Sequence, residues 1–135
     1  MRLRVVSSKS EISNLSPNER NIHLAFRASN VDFLNLMQKC PRLRVIQMPS
    51  SYRKTMSSAI LVFMEMQGIE LLEGDVWGHR KDLDEYFTVN EETLLKIRSK
   101  AASGSIPDDT IKEIQKETRI GSDLIKYIAK TKAVA

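Results

Sequence analysis

The sequence predicts an α/β protein: a Rossmann-like or flavodoxin-like, mainly parallel sheet of about four strands with helices on its faces, then a helical, helix-turn-helix-like segment. Three observations carry this. Short runs of apolar residues suited to strands recur between stretches of helical periodicity. Ser, Pro and Gly punctuate the joins. Beyond residue 88 only helical spacing remains, so residues 1–88 form the α/β part and residues 89–135 the helical tail.

The first strand is "RLRVV", with Leu3 and Val5 on one face. Ser8 to Glu11 has capping-box spacing and opens a short helix containing Ile12 and Leu15. In "IHLAF", Ile22, Leu24 and Phe26 alternate as in a strand, and His23 falls among them as a packed strand histidine. Ser29 to Asp32 repeats the capping pattern, and the helix after it must stop at Cys40 because Pro41 follows. "LRVIQM" is the third strand and "IELL" the fourth. Between them one helix is expected from Ser50 to Gly68, with Met56, Ala59, Ile60, Phe63 and Met66 along one side. Leu61, Val62 and Met64 fall outside that stripe, so either the tail or a second copy of the chain should cover them.

In the tail, Asn90 is placed to cap a helix, Val89 and Leu94 to staple it, and Leu94, Ile97 and Ala101 to share its inner face. Gly104 ends that helix and Pro107 starts the next. Ile111 and Ile114 stripe the second helix, Ile120 fills a turn, and Leu124, Ile125 and Ile128 line the third, with Ser122 placed to cap it. Gln115 and Arg119 stand where a helix-turn-helix favours a small residue and a glycine.

The 135 residues, 41% of them hydrophobic, are enough for a real core, which argues against disorder. The longest apolar run, Ala59 to Met64, is too short to cross a bilayer, so no membrane partner is expected. "MRLRVVSS" lacks a signal peptide's apolar stretch, and a cytoplasmic location is expected. A single cysteine, Cys40, rules out an intrachain disulfide framework and reads as a buried thiol. The net charge is +4, with 12 Lys+Arg against 10 Asp+Glu in residues 1–88 and 9 against 7 in residues 89–135. That balance permits phosphate-bearing partners without demanding them.

No Gly-x-Gly-x-x-Gly loop and no metal-ligand spacing occurs, so neither a cofactor nor a metal is expected, and no catalytic residue is assigned. A ligand site is expected where strands end and helices begin. Ser8, Arg27, Ser29, Ser50, Ser51, Arg53, His79 and Arg80 fall there. Capping explains the serines. Cations beside helix N-termini call for a negative partner, either Glu73 and Asp75 or an anionic small molecule. His79 reads first as a surface histidine bonded to Asp75 or Asp82, and Trp77 as a core lid.

The strings "PSSYRKTMSSAI" and "LLEGDVWGHRKDLDEYF", with "RVVSSKSEI" and "IHLAFRASN", resemble an archaeal, methanogen-type protein family of unknown function, domain of unknown function 1699. The resemblance spans most of the chain. It implies an archaeal cytosolic protein and supplies no activity, substrate or cofactor. The leading functional reading is a regulator that senses an anionic small molecule and contacts DNA through Arg119, Ser122, Lys126, Tyr127 and Lys130, as a homodimer spanning two half-sites. Asp123, on the same helix face, would oppose binding unless it meets a cytosine amino group. The alternatives are an enzyme for a phosphorylated or carboxylate substrate near His79 and Arg80, and a structural or oligomeric interaction protein.

Overall fold

The computed structural model describes residues 1–76, 79–80, 83–101 and 105–131. Strands β1 (Arg2–Val6), β2 (Asn21–Leu24), β3 (Val45–Met48), β4 (Glu70–Glu73) and β5 (Tyr86–Thr88) form one sheet in the order β4-β3-β2-β1-β5. The first four are parallel and β5 runs antiparallel to β1. One strand more than expected is therefore present. Three residues are too few to show a period, and β5 exists because Phe87 pairs with Leu3 at the sheet edge.

Parallel strands laid down in sequence order, with crossovers of one hand, send every connection to the same face. On that face lie a 3-10 helix (Lys9–Asn14), α1 (Asn30–Lys39), α2 (Ser50–Arg53) and α3 (Ser58–Met66). Ile12, Phe33, Leu36, Ile60 and Met64 pack there with Val6, Ile22, Leu24, Ile46 and Met48 of the strands. The opposite face, through Leu3, Val45 and Leu72, is covered by α4 (Glu91–Lys100), α5 (Asp108–Thr118) and α6 (Ser122–Lys130). The sheet is thus layered on both sides, with the tail supplying the second layer. Its parallel strands contain no point where the order reverses, which is where a doubly wound sheet opens its ligand crevice.

The single helix expected from Ser50 to Gly68 is two. Ser57 accepts the backbone N–H of Ile60 at 3.2 Å and starts α3 afresh. The new phase buries Ile60 and Met64 and leaves Phe63 39% and Met66 75% exposed, so the expected apolar stripe does not form. The tail lies across the sheet from α3 and leaves Val62 exposed. Other local signals are realised: the Ser29–Asp32 capping box on α1, the Asn90 cap on α4, and buried Leu94, Ile97 and Ala101. Ser8 stands at the cap position of the 3-10 helix without a side-chain cap bond; Glu11 accepts the Ser7 N–H instead. Cys40 is buried, and burial pushes its thiol up to about 11. Trp77, Asp82 and Gly104 lie outside the described residues.

Candidate functional site

At the C-terminal edge of the sheet, three of the residues expected to hold a ligand, Ser8, Arg27 and Ser29, have side chains engaged by their own surroundings. Arg27 donates to the Ser51 carbonyl at 3.3 Å and to the Thr55 hydroxyl, and its guanidinium lies 5.0 Å from the Tyr52 ring centre. It thereby ties the end of β2 to α2. Ser29 is spent on the α1 cap, and Ser8 bonds Ser10 at 2.9 Å. Arg53 sits in the last turn of α2. His79 stands edge-on to Phe87, on the β5 side, and Arg80 accepts the N–H groups of Leu83 and Asp84 through its carbonyl. Arg27 and Ser51 are brought together; Ser8, Ser29 and His79 are each held by separate partners.

Ser50 lines a cavity of about 430 Å³ between the ends of β3 and β4 and the start of α6, beside Glu73, Asp75, Gln115 and Asp123. Three carboxylates border it, so it is an acidic corner. Beneath it is a feature that the alternation of residues 22–26 hid. His23 and Gln47, neighbours across β2 and β3, are both fully buried, with His23 Nδ1 2.9 Å from Gln47 Oε1. Asp75 lies 3.7 Å from His23 Nε2. Burial lowers the imidazole pKa, against the opposing pull of Gln47 and Asp75. The side-chain nitrogens His23 Nε2, Gln47 Nε2 and His79 Nε2 are buried without a hydrogen-bond partner. Among the described residues no group of His, Cys, Asp and Glu is arranged to hold a metal.

The tail supplies the second candidate surface. α5 ends at Arg119, which adopts the left-handed conformation (φ 60°, ψ 19°) that a glycine would fill at no steric cost. Gly121 caps α6 in place of Ser122, which becomes the first helical residue, and no side-chain cap bond is made. Leu124, Ile125, Ile128 and Ala129 turn inward. The outer face of α6 lies partly along β4. Asp123 accepts the N–H of Glu73 at 2.9 Å, and Lys130 pairs with Glu70 at 2.5 Å. Tyr127 packs against the core, and burial, then Glu70, raises its pKa. Arg119 and Lys126 are exposed and make no side-chain hydrogen bond or ion pair among the described residues. A groove of about 410 Å³ runs between α6 and β4, lined by Lys126, Tyr127 and Lys130 on one side and Glu70 to Leu72 on the other.

Family models match almost the whole of this architecture. Residues 2–85 match the N-terminal domain of a family of unknown function, DUF1699, and residues 92–130 match its C-terminal HTH domain. The chain belongs to the DUF1699 family. Comparisons of this DUF1699 protein with curated proteins and with solved structures gave no match. Helices α4 to α6 are therefore an HTH domain docked on a mostly parallel α/β sheet. No helix among the described residues is long and apolar enough to cross a membrane.

Proposed function

We propose that this DUF1699 protein binds duplex DNA through its C-terminal HTH domain. The observation that carries this is the Thr118–Ser122 turn, where Arg119 is held in a left-handed conformation by the backbone and its guanidinium meets no partner among the described residues. Lys126, one turn into α6, is another exposed cation with no partner among the described residues, and Ser122 adds a hydroxyl at the helix start. Phosphate contacts position a protein on a duplex, and these are cations able to make them. Lys130 and Tyr127, expected among the readers, are engaged with Glu70 and the core, so their part is secondary in this reading. Two cations give weak binding per copy, and a pair of copies joined through exposed Val62, Phe63 and Met66 of α3 would present two turns to two half-sites.

Fluorescence anisotropy of a labelled duplex across a salt series tests this. Arg119→Gln with Lys126→Gln is expected to weaken binding and to reduce the log–log salt slope by about 2, roughly 0.9 for each phosphate no longer neutralised. Absence of binding by the parent, or equal binding by the variant, removes the proposal. An anionic effector at the C-terminal edge fits this geometry less well, because Glu73, Asp75 and Asp123 border the cavity there. The enzyme reading is favoured by one observation, the partnerless buried nitrogens of His23 and His79. Loss of turnover of any phosphorylated or carboxylate substrate in His79→Gln would support it.

A further inference from the structure

We propose that the opposite, N-terminal edge of the sheet is a binding site for a multiply charged phosphate, built from Arg20, Arg42 and Arg44. These three residues line one cavity of about 460 Å³, and among the described residues none that lines it is acidic. All three are exposed, and none has a side-chain hydrogen bond or ion pair among the described residues.

The backbone holds the cations together. Pairing of Asn21 with Val45 sets Arg20 abreast of Arg44, and the Arg20 carbonyl accepts the N–H groups of both Arg44 (2.8 Å) and Val45 (3.1 Å). The Arg44 carbonyl in turn accepts the Glu70 N–H at 2.8 Å. Like charges abreast on adjacent strands are destabilising, and no acidic residue lines this cavity among the described residues, the adjoining Glu70 being paired with Lys130. Proximity to a helix C-terminus accounts for Arg42, two residues beyond the α1 cap, but not for the Arg20–Arg44 pair. The end of α3 also borders the cavity, and its Phe63, Met64 and Glu65 carbonyls already accept the N–H groups of Gln67, Gly68 and Ile69. Gly68, at φ 75°, has no heavy atom within 4 Å of where a Cβ would stand, which leaves the approach open. Guanidinium groups present paired N–H donors that match phosphate oxygens, so three of them suit a diphosphate or triphosphate chain, free or carried by a nucleoside.

Isothermal titration of the full chain with inorganic pyrophosphate, at ionic strength held constant with potassium chloride, is expected to give saturable binding. Arg42→Gln with Arg44→Gln should weaken it by about tenfold or more. Arg119→Gln with Lys126→Gln should bind pyrophosphate as the parent does, which separates this site from the duplex surface. A parallel titration with ATP distinguishes the sources: tighter binding assigns a nucleoside polyphosphate, and equal or weaker binding assigns the phosphate chain alone. Without polyanion, Arg44→Gln should raise the melting temperature by relieving repulsion, and its further rise on adding pyrophosphate should be smaller than the parent's. No saturable binding, undiminished binding by the Arg42/Arg44 variant, or loss of binding in the Arg119/Lys126 variant overturns the proposal.

Discussion

The carboxylate of Asp123, in the first turn of α6, accepts the backbone N–H of Glu73 in β4 at 2.9 Å. It gives an edge strand a partner from the HTH domain and fixes where α6 starts. Replacement by alanine should cost about 1–2 kcal/mol, the scale of a partly exposed hydrogen bond to a charged group, while Asp123→Asn should keep most of that stability through its amide oxygen. Urea denaturation of the two variants measures the difference. Equal midpoints for alanine and the parent would show that the interaction contributes nothing.

Acid stability should depend on His23. Burial holds its folded pKa below the ordinary 6.5. The unfolded chain therefore takes up a proton near pH 6.5, whereas the folded chain does so only at lower pH. Stability is full above that value, is lost as pH falls through the interval between the two pKa values, and levels off below the folded pKa. His23→Gln, which cannot charge, should flatten this limb in a series of urea midpoints against pH. Parallel profiles for variant and parent would contradict the assignment.

Gly74 leaves room that Gln47 uses. A Cβ at Gly74 would stand 2.6 Å from Gln47 Nε2, and the fully buried Gln47 has little freedom to retreat. Gly74→Ala should destabilise by about 1–3 kcal/mol, the usual overpacking range. Much of that loss should disappear when Gln47 is shortened to alanine, so a double-mutant cycle should show positive coupling. Additive losses would mean that the glycine is needed for backbone reasons alone.

Local chemistry made much of this fold legible in the chain itself. Strands β1 to β4 showed in their apolar patterns, and the caps at Ser29 and Asn90 in side chains that need only a neighbouring N–H. What stayed hidden depends on partners distant in sequence. β5 is a strand because of Leu3 opposite Phe87, and the break before α3 turned on which of several serines would cap. His23 looked like any packed strand residue because Gln47, its partner, is 24 positions away. Arg20 and Arg44 become neighbours only through strand register, although Arg42 and Arg44 already flanked Leu43 in plain view. The ligand residues at the C-terminal edge were placed by a rule for sheets that reverse their strand order, which the parallel part of this one does not.

Arg119 should show stability and affinity moving in opposite directions. Its left-handed backbone (φ 60°) costs a side chain about 1 kcal/mol. Arg119→Gly should therefore raise the denaturation midpoint modestly, by up to about 1 kcal/mol, while weakening duplex binding through loss of a cation. Arg119→Val, β-branched at the same backbone angles, should lower stability. A glycine variant less stable than the parent would show that the guanidinium has a structural role.

Because α6 lies along β4, the HTH domain also shields the chain from self-assembly. β4 is a sheet edge, and an uncovered edge strand offers unpaired N–H and C=O groups to any passing β-strand. Asp123 occupies one such donor, and the Lys130–Glu70 pair keeps charge beside it. Leu3, Val45 and Leu72, now sealed beneath the helices, would become an apolar sheet face in contact with water if the tail were removed. A truncated α/β fragment should accordingly precipitate or form β-rich aggregates at concentrations where the intact chain stays dispersed.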